Sequence, residues 1–119
     1  MSRTWIRWGS FFMATGIIAG AFGAHALKAV LSEPMKAVYE TAVRYQLIHG
    51  LALFVVAWRA SVMDGRTVRG AGRSFCAGII FFSGSLYLLA LSGVRAWGAV
   101  TPLGGLAFIV GWILLGISA

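Results

Sequence analysis

The chain has 119 residues, 60% of them hydrophobic and 11% charged, with a mean hydropathy of +0.87. A soluble domain carries about 25% charged residues, so the deficit points to lipid as solvent and excludes an ordinary soluble globule. The net charge is +7, but the basic residues stand between apolar runs, which implicates topology and anionic headgroups rather than nucleic acid.

The length allows a single domain, residues 1–119. A membrane helix needs about 20 apolar residues. Trp8 to Leu27 is charge-free between Arg7 and Lys28, and the first helix is predicted over about 8–29. Trp5 and Trp8 near its start read as interfacial anchors. Arg3 and Arg7 followed by Ala24-His25-Ala26 also fit a cleavable leader, although the apolar run is long for one.

Ser32-Glu33-Pro34 is a start signal for the second helix: Ser32 caps, Glu33 suits the positive dipole end, and Pro34 is tolerated in a first turn. Lys36, Glu40 and Arg44 recur every four residues and are expected to pair along one face. The helix is predicted over about 34–60, amphipathic at first, then apolar from Tyr45 to Trp58, with Arg59 snorkelling at its end. Asp64-Gly65 marks a turn.

Ser74 to Val94 and Ala96 to Ala119 are the remaining charge-free runs, giving helices over about 73–93 and 98–117. Thr101 is expected to cap the last helix, with Pro102 in its first turn. Trp58 and Trp97 read as further anchors and Trp112 as core. The fold expected is therefore an all-α integral membrane protein: four transmembrane helices in an antiparallel bundle, with an amphipathic N-terminal extension on the second.

Arg3, Arg7, Arg59, Arg66, Arg69 and Arg73 fall on one side of such a bundle, and Lys28, Lys36, Arg44 and Arg95 on the other. The positive-inside rule then places both termini in the cytoplasm. Cys76 is the only cysteine. It has no disulfide partner, supplies too few ligands for a metal, and reads as a small packing residue.

Small residues recur at helical spacing. Gly16, Gly20 and Ala24 are four apart, Gly9, Gly16 and Gly23 seven apart, and Ala107 and Gly111 four apart. Such faces let backbones approach closely, within the monomer or across a homodimer. Gly84, Gly104 and Gly105 are further packing candidates.

Four stretches carry more specific information. They are Gly20-Ala21-Phe22-Gly23-Ala24-His25-Ala26-Leu27, Tyr45-Gln46-Leu47-Ile48-His49-Gly50-Leu51-Ala52, Phe82-Ser83-Gly84-Ser85-Leu86-Tyr87, and Thr101-Pro102-Leu103-Gly104-Gly105 followed by Phe108 and Gly111-Trp112. Their order resembles the bacterial domain-of-unknown-function 423 family, related to the eukaryotic transmembrane protein 256 family. The resemblance spans nearly the whole chain, with Gly50 as a small departure after the histidine. It implies a small four-span protein of the bacterial plasma membrane and no established activity, cofactor or substrate.

The candidate site is a polar cluster. Measured from Lys28 and Arg44 as boundary charges, His25 and His49 fall at similar depth near the outer face. Tyr45 shares a helix face with His49, Gln46 lies beside them, and Ser83, Ser85, Tyr87 and Thr101 come from the same end of the last two helices. Interhelical glue is one reading of His25, Tyr45, Gln46, His49, Ser83, Tyr87 and Thr101, and a small pocket open to the outer leaflet is another. The two histidines also raise bis-histidine haem ligation, but a pair close enough to hydrogen-bond leaves no room for a porphyrin.

No nucleophile–base–acid set is found, and Gly104-Gly105 lacks the lysine and the strand of a phosphate loop. No metal or cofactor is expected. The function expected is a non-enzymatic membrane protein acting through lipid, a membrane-protein partner or a second copy. The alternatives are a small transporter, channel or sensor using the cluster and, third, a haem-binding or catalytic protein.

Overall fold

Residues 2–119 are described by a computed structural model in which every regular element is helical. Helix α1 is Ser2–His25. Helix α2 is Glu33–Val62. Helix α3, Arg66–Ser92, is continuous but contains a π-helical turn at Ile79–Ser83. A 3₁₀ turn, Arg95–Ala99, leads into α4, Thr101–Ile117.

The packing is antiparallel. Gly9 of α1 lies against Gly50 and Leu53 of α2, Gly16 against Gln46 and Leu47, Gly20 against Val43, and Gly23 against Tyr39. A Cβ on Gly16 would stand only 2.8 Å from Leu47 Cδ2, so the glycine seam sets how closely the two helices approach. Gly111 of α4 receives the Phe75 ring of α3, and Gly104 abuts the Phe82 backbone. Among lipid tails as apolar as leucine, close van der Waals packing replaces hydrophobic burial as the force between helices. The small residues are how this sequence obtains it.

The main core lies toward the end that holds the start of α1 and the α2–α3 connection. Phe75, Leu53 and Val56 are fully enclosed there, with Phe12, Ala57, Val68 and Phe108 around them. Trp5 is part of this core, 4% exposed with its ring over Gly72, and is not the interfacial anchor its position suggested. The Gly72 gap admits the ring, and its Nε1 has no hydrogen-bond partner among the described residues. Trp8, Trp58 and Trp97 remain exposed.

Three helices are long and apolar enough to cross a membrane: Glu33–Val62, Arg66–Ser92 and Arg95–Ile117. The least obvious span in the sequence thus qualifies, because only Arg59 interrupts the run after Tyr45. Helix α1 has the length, at 24 residues, but Trp8, His25 and its four glycines dilute its hydropathy. The long axis of the molecule is 47 Å, against about 40–45 Å for a bilayer with its headgroups. Large apolar side chains such as Ile17, Ile18, Leu103 and Ile113 face outward all along it, as lipid-facing residues do.

Several boundaries move. Helix α1 starts at Ser2 and stops at His25 rather than near residue 29. Helix α3 begins at Arg66, seven residues before the predicted 73. Its first turns carry Arg66, Arg69 and Arg73 while Val68, Ala71, Gly72 and Phe75 face the core. That amphipathic stretch is helical because its apolar side is buried, which a search for charge-free runs does not detect. Asp64 Oδ1 accepts the Gly65 N–H at 2.8 Å and Asp64 pairs with Arg69 at 3.7 Å, fixing the turn.

Ser32 caps α2 as expected, its Oγ accepting the Met35 N–H at 3.4 Å. The charge ladder beyond it does not form. Lys36 turns back to Glu33 at 2.9 Å, and neither Lys36–Glu40 nor Glu40–Arg44 is within ion-pair distance among the described residues. Nor does Arg59 only snorkel: its guanidinium donates from both Nε and Nη2 to the Ser118 carbonyl, closing the C-terminal end of α4.

Candidate functional site

The predicted cluster divides into two sets and loses one member. His25 ends α1 and is exposed. Tyr39 stands opposite Gly23, and His49 lies ten residues further along α2, so the histidines are separated by at least about 15 Å along the bundle. Lys28 and Arg44 are not equivalent boundaries. Arg44 follows Val43, which faces Gly20, so it sits inside the end of α1 and not level with it. One haem cannot take both histidines as axial ligands at that spacing.

The first set is centred on Gln46, 5% exposed. Its Nε2 donates to the Phe12 carbonyl at 2.9 Å and to Thr15 Oγ1 at 2.8 Å. Its Oε1 accepts the Tyr87 hydroxyl at 2.7 Å. One side chain therefore ties α1, α2 and α3. Ser83 donates to the Ala42 carbonyl at 2.7 Å, and the wide π turn is what brings it, after Phe75 and Ile79, onto the α2-facing side of α3. Ser85 and Thr101 share a hydrogen bond of 2.6 Å between α3 and α4. Thr101 is accordingly not a cap. Val100 stands at the cap position without a side-chain bond, and the preceding 3₁₀ turn delivers the chain into α4.

The second set surrounds His49, nearer the middle of the bundle. Its ring stacks on Phe108 with centroids 3.6 Å apart and planes 9° from parallel, and it also contacts Phe75. Trp112 Nε1–H donates to His49 Nε2 at 3.0 Å. An indole nitrogen can only donate, so Nε2 is the acceptor and the imidazole proton resides on Nδ1, 2.8 Å from the Tyr45 carbonyl. The surroundings thus hold His49 as one neutral tautomer with both nitrogens occupied. Tyr45 contributes that carbonyl, and its ring packs tilted against Phe82, centroids 4.6 Å apart and planes at 43°.

Tyr39, which the sequence reading passed over, is buried. It donates to the Ala19 carbonyl at 2.6 Å and meets the Tyr87 ring at 5.2 Å. Its spacing of seven from Gln46 is the signal that could have found it. Trp112 as the partner of His49 had no comparable signal. Gly16, Gly20, Gly23, Gly104 and Gly111 all pack closely, Gly105 makes only ordinary contact with the Phe82 ring at 3.8 Å, and Gly84 meets nothing within 4 Å. Gly84 opens instead on a side groove between α1 and α3. Among the described residues no three His, Cys, Asp or Glu side chains gather around one point.

A concavity larger than that groove lies between the second half of α1 and the first half of α2. It has a volume of about 770 Å³ and a mixed lining of glycine, aliphatic and charged residues.

A helical bundle with spans of this length, outward-facing aliphatic side chains and a hydrogen-bonded interior defines a membrane protein. Residues 19–105 match the family model described as protein of unknown function DUF423, and the chain belongs to that family. It is 50% identical to a UPF0382 membrane protein of Staphylococcus haemolyticus over 83% of this chain and 80% of that protein. A UPF0382 membrane protein of Staphylococcus aureus (strain bovine RF122 / ET3-1) is 48% identical, covering 89% and 84% of the two chains. The UPF0382 membrane protein YwdK of Bacillus subtilis is 44% identical over 90% and 86%. No solved structure matches the chain.

Proposed function

We propose that this is a non-enzymatic, multi-pass protein of the bacterial plasma membrane, with both termini in the cytoplasm, that acts by associating with lipid or with a membrane-protein partner. The observation that supports this reading is that the interior polar groups are turned on one another. Gln46, Tyr87, Ser83 and the Ser85–Thr101 pair join helices, and both nitrogens of His49 are engaged. A transport path would also have to pass the end where Trp5, Leu53, Val56 and Phe75 fill the interior, which favours association over the transporter or channel alternative. The orientation rests on six basic residues at the end with the α2–α3 connection, against four at the other.

The test has two arms. Purified protein in liposomes should give no ion or solute flux above empty vesicles, and flux that disappears on Gln46→Leu would overturn the reading. Gentle detergent extraction with mass spectrometry should recover one lipid class or one membrane protein reproducibly with the chain.

A further inference from the structure

We propose that the concavity between α1 and α2 is a binding site for one anionic phospholipid, with Lys28 and Arg44 holding the phosphodiester. The proposal rests on the association reading above and names its lipid. Gly20, Gly23 and Ala24 of α1 and Tyr39, Val43 and Leu47 of α2 give the cleft its mostly apolar lining. Its volume of about 770 Å³ falls within the range of pockets that enclose small ligands, about 300–1,000 Å³.

The charges on the lining select the occupant. Lys36 is taken by Glu33 at 2.9 Å. Lys28, Arg44 and Glu40 remain on the rim, with no ion-pair partner within 4.0 Å among the described residues. Two cations against one carboxylate leave a single positive charge, which one phosphodiester neutralises. Arg44 gives the stronger reason. It lies beside the Val43–Gly20 contact, five residues and so about 7.5 Å inside the end of α1. Its guanidinium is exposed on the lining with no carboxylate within ion-pair distance among the described residues, and a lipid phosphate beside it supplies the counter-charge. Lys28, in the turn that follows α1, lines the same concavity and adds a second cation for that headgroup.

Native mass spectrometry of the full chain in mild detergent, titrated with dioleoylphosphatidylglycerol and with dioleoylphosphatidylcholine, tests this. The wild type should take up one phosphatidylglycerol about tenfold more tightly than phosphatidylcholine. The double variant Lys28→Gln, Arg44→Gln should lose most of that preference. Both side chains are exposed, so the variant should keep the thermal midpoint of the wild type. Arg95→Gln, which removes a basic residue near the same end but outside the groove, should retain the preference. Equal affinity for the two lipids, or an unchanged preference in the double variant, overturns the proposal. Recovery of a specific membrane-protein partner without lipid preference would overturn it too while sparing the association reading. Flux in liposomes would sink the association reading itself.

Discussion

His49 and Gln46 show how a membrane interior handles groups that water would otherwise satisfy. Each is almost wholly buried, and each has its polar atoms matched by another helix or by its own backbone. An interhelical hydrogen bond in lipid is worth about 0.6–2 kcal/mol. Gln46→Leu removes three and leaves the Phe12 carbonyl, Thr15 and Tyr87 to find new partners. We expect a loss of about 2–3 kcal/mol from the sum of those bonds. Trp112→Phe removes one bond, keeps an aromatic ring against His49, and should cost about 1 kcal/mol. Equilibrium unfolding in mixed SDS micelles reads both values. If Gln46→Leu unfolds at the same SDS fraction as the wild type, Gln46 is not the tie between three helices described above. The residue types of this network are legible in the sequence, since polar side chains inside apolar runs announce themselves. Half of their partners are backbone carbonyls of Phe12, Ala19, Ala42 and Tyr45, and a carbonyl leaves no mark on the residue that carries it.

At the scale of elements, spacing revealed more than boundaries did. The recurrence of small residues along α1 correctly marks the face that meets α2, because a helical repeat keeps such residues in line. Gly84, expected to pack closely but belonging to no such repeat, has nothing within 4 Å of where its Cβ would stand. The π turn at Ile79–Ser83 changes the phase of α3 just before it, and nothing in the local sequence encodes that turn. The start of α3 was hidden for a different reason: three arginines on the exposed side broke the apolar run that a lipid-facing search follows. A matched pair of substitutions separates the two glycine environments. In Gly104→Ala the new methyl meets the Phe82 backbone, which cannot rotate away, and overpacking of this kind costs about 1–3 kcal/mol. In Gly84→Ala the methyl enters open space, and the gain in helix propensity, up to about 1 kcal/mol, should leave the variant as stable as the wild type or more so. The thermal midpoint in detergent should therefore fall for Gly104→Ala and hold or rise for Gly84→Ala, and a larger loss at Gly84 would show that α3 and α4 pack in another register.

For the molecule as a whole, the order of helices places the start of α1, the α2–α3 connection and the end of α4 together. Trp5 meets Gly72, Gly70 approaches Leu114, and Arg59 closes onto Ser118. Orientation is then a single choice, and the positive-inside rule, with six basic residues against four, predicts that this end faces the cytoplasm. Cysteine labelling can read that choice once Cys76 has been replaced by serine. Met63 and Val30 are both exposed in connections at opposite ends, which makes Met63→Cys and Val30→Cys a balanced pair. A membrane-impermeant maleimide added to intact spheroplasts should label Val30→Cys and reach Met63→Cys only after permeabilisation. The margin of two charges makes the arrangement sensitive. Changing Arg66 and Arg69 to glutamine equalises the count at four on each side, and the labelled population should then split between the two sites. An orientation unmoved by that change would mean that the charges near Arg3 and Arg7, which enter the membrane first, fix the topology before the rest of the chain is inserted.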